Sequence, residues 1–355
     1  MKINKLELKQ FRCFKSLQLD FDPKVNILCG LNASGKTTII DAILFLMILR
    51  TTSNAKDKDL ISFEEKEYLI KGSFSTKNGE KSAIVLNSNN TRKMSQNGVE
   101  IKLSSNYIDF ASVVSFNSKD IGDIINSPSS RRKMIDVVLC QVDHYYLVAL
   151  KEYKKIIKEK NALLKSETID LYLFEILTKK QYELSSLIES KRIEFLNSLN
   201  VEFKKIHLSI SSTNEIASIK LITNFYKKDF FERCKKDLIF KTATCGPHRD
   251  DYLFSIDSKD VNLYASQGQL KTMTLSFKLA CINLLRDLKQ EEPIILLDDV
   301  FGELDEIRQN ELIKFLLNKK NQVFITTPSI GDIDKTLVDS AKIIYLNKGG
   351  LLYEQ

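Results

Sequence analysis

The strongest chemical pattern in the chain is Gly30-Leu31-Asn32-Ala33-Ser34-Gly35-Lys36-Thr37. It matches G-x-x-x-x-G-K-[ST], follows the apolar run Val25–Cys29 and precedes residues at helical spacing. Backbone N–H groups of such a loop, with the helix N-terminus behind them, form a cradle for phosphates. Lys36 is placed to reach the β- and γ-phosphates, and the Thr37 hydroxyl to ligate Mg²⁺. A chance Gly/Ser turn is the competing reading, and the strand–loop–helix context argues against it. A second pattern, Ile294-Ile295-Leu296-Leu297-Asp298-Asp299, describes a buried strand delivering two carboxylates to its C-terminal edge. Ligands sit at that edge in open α/β sheets. Asp298 is expected to hold Mg²⁺ and Asp299 to orient or polarise the attacking water. A third pattern, Ser266-Gln267-Gly268-Gln269, stands just before a helix and offers another phosphate-binding turn.

The elements that must position these residues are partly visible. Lys2–Leu8 and Leu17–Phe21 alternate apolar and polar, and Val25–Cys29 is a short apolar strand. Thr37–Leu49 reads as a helix. Residues 51–110 read as antiparallel strands and hairpins, with turns at Asn78-Gly79 and Asn97-Gly98. Ser127-Pro128-Ser129-Ser130 signals a helix start, and about 130–206 reads as long helices with a break near Ser166–Asp170. Beyond residue 240, strands are expected at Phe254–Asp257, Val261–Tyr264, Pro293–Leu297 and Val323–Thr326. Helices are expected at Leu270–Leu288 and Glu306–Asn318. The late alternation predicts a parallel sheet covered by helices.

Composition narrows the classes. The mix of apolar and charged residues in 355 residues supports a real core. The apolar run Ala42–Leu49 is too short to span a membrane, and Met1–Glu7 is charged where an export signal would be apolar. Six scattered cysteines without C-x-x-C, and three histidines, argue against zinc and against a disulfide framework. A reducing, cytoplasmic setting is expected. The formal charge of +7 permits a polyanionic partner. Between Arg131 and Lys165, nine basic residues face four acidic ones, which suggests a helix face that neutralises phosphates; a merely solvated basic face remains the other reading.

Asp298 follows Gly268 by 30 residues, enough for one helix and one strand. That order resembles the ABC-type ATPases, in which the Ser-x-Gly turn caps the γ-phosphate of a partner subunit. Leu8-Lys9-Gln10-Phe11-Arg12-Cys13-Phe14 looks like the N-terminal strand of ABC ATPases that act on DNA. Together with Cys245-Gly246-Pro247-His248-Arg249-Asp250-Asp251, Ser266–Gln269 and Leu297-Asp298-Asp299-Val300, these residues make the chain similar, over essentially its whole length, to the RecF family of bacterial DNA-repair ATPases.

The resemblance implies an α/β fold: an ABC-type P-loop ATPase head, split across the chain, with an inserted helical second lobe. Its expected parts are head at 1–126, helical insert at 127–239 and head again at 240–355. It implies ATP and Mg²⁺ held by Gly30–Thr37, Ser266, Gly268 and Arg12, with metal at Thr37 and Asp298 and catalysis by Asp299 and Lys36. It further implies a weak, DNA-stimulated ATPase that dimerises on ATP. Its partners would be DNA, read without sequence preference, and mediators of the RecR and RecO type. Phe301-Gly302-Glu303-Leu304-Asp305 would bring Asp305 near the dimer seam. Arg12 has two open readings, a phosphate contact or a surface strand arginine. His248-Arg249 likewise read as a structural pair at a turn or as a pair near the nucleotide or the inter-subunit seam.

The chain departs from the family at several points. Ala33 stands where Gly is usual, Ser34 where a Gln-like residue is, and Gly302 where Ser is common. Phe116-Asn117-Ser118-Lys119-Asp120 keeps only Phe116 and Asp120 of the family's F-x-P-E-D. Two other classes share part of this pattern. An ABC-transporter ATPase subunit would share the ATP motifs but not G-P-H-R-D-D. An SMC-like structural ATPase needs a long coiled coil, whereas helices of at most ~35 residues, or ~50 Å, are expected here.

Overall fold

The computed structural model describes every residue except Asn54, Asn90, Lys119, Ser212, Thr213, Lys348 and Gln355. In chain order the strands and helices begin with β1 (Lys2–Phe11), β2 (Phe14–Asp20), β3 (Val25–Cys29), α1 (Lys36–Ile48), β4 (Glu67–Thr76), β5 (Gly79–Ser88), β6 (Thr91–Gln96) and β7 (Val99–Glu100). They continue with α2 (Ser104–Ile108), β8 (Val113–Asn117), α3 (Asp120–Asn126), α4 (Pro128–Val142), α5 (His144–Leu163), α6 (Leu171–Ile210), β9 (Ala217–Ile222) and α7 (Phe230–Phe240). Next come β10 (Asp251–Ile256), β11 (Lys259–Asp260), α8 (Val261–Tyr264), α9 (Gln267–Lys289), β12 (Ile294–Asp298) and α10 (Glu306–Leu317). The last are β13 (Val323–Thr327), α11 (Lys335–Val338), β14 (Ala341–Asn347) and β15 (Gly350–Glu354). They fall into two compact units, residues 1–120 with 277–355, and residues 121–276.

The first unit holds two sheets. An antiparallel sheet runs β2-β1-β4-β5-β6-β7, and a mostly parallel one runs β15-β14-β3-β13-β12-β8. In β1 the buried residues step from Ile3 to Leu6, and a bulge between Ile3 and Lys5 absorbs that slip in the alternation. In the parallel sheet β3, β12 and β13 are buried at every position, as two-sided burial demands. Helix α1 contacts β4 and β5 of one sheet and β8, β12 and β13 of the other. All its residues but Thr37 are accordingly buried. A helix apolar all round belongs in a core, so its sequence lacks a polar face.

The second unit contains α3 to α8, the start of α9 and a three-stranded antiparallel sheet ordered β11-β10-β9. Ser127 caps α4 by accepting from Ser130 N at 3.2 Å, with Pro128 in the first turn. Asp143 separates α4 from α5 and accepts from Tyr146 N at 2.8 Å. Asp170 starts α6 by accepting from Leu173 N at 3.0 Å. Helix α6 has 40 residues, about 60 Å, which exceeds the length expected from the sequence. Val261–Tyr264, expected as a strand, is the short helix α8. Asp260 caps it by accepting from Asn262 N at 2.8 Å, and that local bond outweighs the apolar–polar alternation.

Candidate nucleotide site

β3 pairs in parallel with β13 and β14 and carries the chain to Gly30 at the carboxyl edge of the sheet. Gly35 closes the loop in the left-handed region at φ 105°, and a Cβ there would lie 2.5 Å from the Phe14 ring. Only glycine fits that approach. Ala33 also takes a left-handed conformation, φ 64°, which costs a residue with a Cβ about 1–2 kcal/mol. Leu31, Asn32 and Ala33 are exposed, whereas Lys36 is buried. Its Nζ donates to Gly30 O at 2.6 Å and to Leu31 O at 3.1 Å, so the side chain lies back over the loop. Ser34 Oγ is buried with no hydrogen-bond partner among the described residues.

β12 lies between β13 and β8, with Asp298 in register with Thr326 and Asn117. Thr37 Oγ1 donates to Asp298 Oδ1 at 3.0 Å, which joins the phosphate loop to the acidic strand. Thr326 Oγ1 donates to the same oxygen at 2.9 Å and lies 3.3 Å from Asp299 Oδ1, while accepting from Asp299 N at 2.9 Å. Burial pushes the Asp298 carboxyl above the usual range, and the hydroxyls of Thr326 and Thr37 oppose that shift. A divalent cation would reverse it. A hydroxyl and a carboxylate side by side are hard oxygen donors, and Mg²⁺ fits such a set. Asp299 is exposed and left-handed, φ 54°, so its carboxylate leaves the strand line at the ligand edge. Thr326 was not singled out in the sequence. The signal available was its place at the end of the strand beside Asp298.

Arg12 sits in the two-residue turn between β1 and β2 at φ 51°, not within a strand. Nη1 meets Asp41 Oδ2 at 2.6 Å, and Asp41, buried on α1, also accepts from Thr52 N at 2.6 Å. The guanidinium is thus tied to the helix that starts at the phosphate loop. Of the F-x-P-E-D positions, Asp120 Oδ2 accepts from Asn117 N at 2.7 Å and Oδ1 pairs with Lys278 Nζ at 2.9 Å. Lys119 lies outside the described residues. Asp305 caps α10, accepting from Arg308 N at 3.1 Å.

The second unit carries the remaining motifs. Ser266 is exposed and precedes α9 directly, so Gln267-Gly268-Gln269 form the first helical turn and not a loop. Gly246 stands at φ 117°, with Tyr153 Oη 2.5 Å from where a Cβ would be. His248 Nε2 faces Ala243 O at 3.1 Å and Nδ1 faces Tyr153 Oη at 2.6 Å. A carbonyl only accepts, so the proton sits on Nε2 and Nδ1 accepts from the tyrosine. Burial lowers this imidazole to about 4, against the hydrogen bond to Ala243 O. Arg192 Nη1 donates to Asp250 Oδ2 at 2.7 Å and Nη2 to Asp136 Oδ1 at 3.0 Å. The structural reading of G-P-H-R-D-D is therefore visible in its contacts.

The basic run at the start of α4 needs correction as a phosphate-binding surface. Arg131 is buried, and its Nε and Nη2 each donate to Asp251 at 2.8 Å. Arg132 Nη1 donates to Asp250 O at 2.6 Å. Lys160 is buried on Asp237 at 2.9 Å. The exposed cations of the stretch are Lys151, Lys154, Lys155, Lys158 and Lys165.

A phosphate loop between β3 and α1, an acidic pair on β12, the next strand but one in the same parallel sheet, and a Ser-x-Gly turn opening a helix define an ABC-type ATPase head. The chain matches the model of the RecF/RecN/SMC N terminal domain over residues 2–348. It is 36% identical to the DNA replication and repair protein RecF of Halalkalibacterium halodurans, covering 99% of each chain. It is 34% identical to the protein so named in Ligilactobacillus salivarius, over 100% of this chain and 98% of that one. A structure of the recombination mediator protein RecF with ATP, in the RecFOR pathway, superposes with TM-score 0.90 at 28% identity, covering 100% of this chain and 97% of the other. An Smc head domain from Pyrococcus furiosus shares the fold, with TM-score 0.56 at 20% identity over 100% of this chain and 96% of that one. The chain belongs to the RecF/RecN/SMC N-terminal domain family and, within it, to the RecF proteins.

Proposed function

We propose that this chain is an ATP-switched DNA-repair protein whose heads pair around two nucleotides and clamp DNA at gaps or ends. It would assist recombinase loading and the SOS response, together with RecR- and RecO-type mediators in the cytoplasm. The relatives' names speak of DNA replication and repair, and the ATP-bound relative is described as a recombination mediator. The observation that carries the reading is the 3.0 Å bond from Thr37 to Asp298, which brings a phosphate cradle and an acidic strand to one edge.

In this reading the N–H groups of Gly30–Thr37 bind the phosphates, and Lys36 exchanges its two loop carbonyls for phosphate oxygens. Thr37 and Asp298 hold Mg²⁺, which supplies charge neutralisation at the phosphates when bound. Asp299, exposed beside them, orients the attacking water as base. Ser266 and Gly268 of one chain face the γ-phosphate held by its partner, so ATP favours the dimer and hydrolysis releases it. A weak, DNA-stimulated ATPase follows, because a lone head lacks the partner's turn. In this reading residues 127–239 are the helical lobe and 1–126 with 240–355 the head; the whole lobe lies in the compact unit 121–276, which also holds the first part of the second head segment. On α5, the exposed Lys151, Lys154, Lys155 and Lys158 supply a sequence-independent phosphate contact.

Paired variants test this. Lys36→Ala should weaken ATP binding by roughly 10- to 100-fold, through loss of charged hydrogen bonds. Asp299→Asn should keep ATP binding while kcat falls by about 10²- to 10⁴-fold, and the ATP-bound dimer should persist. Unchanged ATP affinity in Lys36→Ala would remove the phosphate-loop assignment. Normal turnover in Asp299→Asn would move the base elsewhere.

A further inference from the structure

Glu215 belongs to none of the motifs, yet it touches the side chain that shapes the Ser266 turn. Gln269 Oε1 accepts from Ser266 N at 2.8 Å, while Ser266 Oγ accepts from Gln269 N at 3.2 Å. This reciprocal pair is a capping box, and it satisfies two backbone donors at the start of α9. The other end of the Gln269 amide, Nε2, donates to Glu215 Oε1 at 2.8 Å. A side-chain amide presents a donor on one side and an acceptor on the other, and either orientation is open to it until a neighbour decides. A carboxylate only accepts. Glu215 therefore draws the amino group towards itself and turns the carbonyl oxygen to Ser266 N.

The carboxylate is itself held. It lies two residues before β9, and its side chain is 18% exposed. Its second oxygen, Oε2, is 3.4 Å from Ser211 Oγ and 3.8 Å from His207 Nε2. Behind it, His207 Nδ1 lies 3.3 Å from Ser276 Oγ of α9. The contacts run from α6 through Glu215 to the first turn of α9, all within the second unit.

We propose that Glu215 is the positioning residue of the Ser266-Gln267-Gly268-Gln269 turn, fixing the Gln269 amide so that Ser266 is held ready to meet the partner chain's nucleotide. This assignment rests on the composite-site reading of Ser266 given above. A glutamine at 215 bonds Gln269 in either amide orientation. In the flipped orientation Ser266 N loses its acceptor and the turn frays. A lysine at 269 still pairs with Glu215 but offers Ser266 N nothing.

Three variants of the full chain test it: Glu215→Gln, Gln269→Lys and Glu215→Asp. The first readout needs no nucleotide. Hydrogen exchange at the Ser266 amide should be slow in the wild type and about 5- to 10-fold faster in Glu215→Gln and Gln269→Lys, the effect of losing one cap bond. The second readout uses ATP. Nucleotide binding by the monomer should stay within twofold of wild type, while ATP-dependent dimerisation and kcat fall about 5- to 10-fold. Glu215→Asp, which keeps the acceptor, should recover part of both. Equal Ser266 exchange in wild type and Glu215→Gln would overturn the assignment, as would wild-type dimerisation in both Glu215→Gln and Gln269→Lys. Should the variants not fold, an unprotected Ser266 amide in the wild type overturns it alone. If exchange responds but the wild type never dimerises with ATP, the Glu215 assignment stands and the composite-site reading falls.

Discussion

Asp298 and Asp299 are neighbours in sequence with opposite surroundings. The first is buried and takes two hydroxyl bonds; the second is exposed and bends out of the strand line at φ 54°. In the proposed roles the first would hold a cation and the second would meet water. The pair is legible in the sequence only jointly with the phosphate loop, because four apolar residues before two carboxylates also suit a turn-forming Asp-Asp after a core strand. Thr326 is not legible, because a threonine at the end of a β-branched strand carries no mark of its hydrogen bonds. His248 yields a prediction at the same scale. Its folded value is lowered to about 4 by burial, so between about pH 6.5 and 4 the unfolded chain binds a proton that the folded chain refuses. Stability should therefore fall as pH drops through that window, by up to about 3 kcal/mol from this group. Urea melts at pH 7 and pH 5 check it, with His248→Gln as the control. An equal pH dependence in both proteins would contradict the assignment of the neutral tautomer.

At the scale of elements, the starts of α4 and α6 were readable from the sequence, whereas the break at Asp143 between α4 and α5, and helices α3 and α7, were not. Ser127-Pro128 and Asp170 mark starts that the structure repeats almost to the residue. The charge run at Arg131–Lys133 was misleading for a physical reason. Groups distant in sequence take up its arginines: the Asp251 carboxylate, 120 residues on, accepts twice from Arg131, Arg132 donates to Asp250 O, and no local pattern announces either contact. The same blindness to long range hid β8 and β14, whose partners β12 and β3 are remote in the chain; β15, missed as well, is a local hairpin partner of β14. Two contrasting outcomes follow. Changing Lys151, Lys154, Lys155 and Lys158 to Glu should leave the thermal midpoint near wild type. It should also weaken ATP-dependent DNA binding for all sequences alike, and flatten the salt dependence by about 0.9 in log–log slope per lost phosphate contact. Arg131→Ala should instead destabilise the fold by about 1–3 kcal/mol, since Asp251 loses two charged hydrogen bonds and Ile124 O its side-chain donor. DNA binding with unaltered affinity and salt slope in the lysine variant would take the contact away from α5.

At the scale of the whole molecule, the first unit is assembled from both ends of the chain, residues 1–120 and 277–355. The parallel sheet shows why: β3 comes from the start of the chain and β12, β13 and β14 from its end, paired side by side. The phosphate loop and the acidic pair belong to this unit, while Ser266 and Gly268 belong to the second. In the proposed composite site one chain supplies the cradle and another supplies the turn. Mixing two inactive chains tests this most directly. Lys36→Ala lacks the cradle's cation, and Ser266→Arg puts bulk into the turn while leaving its own cradle intact. A heterodimer of the two has one whole site, made from the loop of the Ser266→Arg chain and the turn of the Lys36→Ala chain. Steady-state ATP hydrolysis in the mixture should recover in part, where each variant alone is inactive. Full activity of Ser266→Arg alone, as a monomer at saturating ATP, would contradict the account.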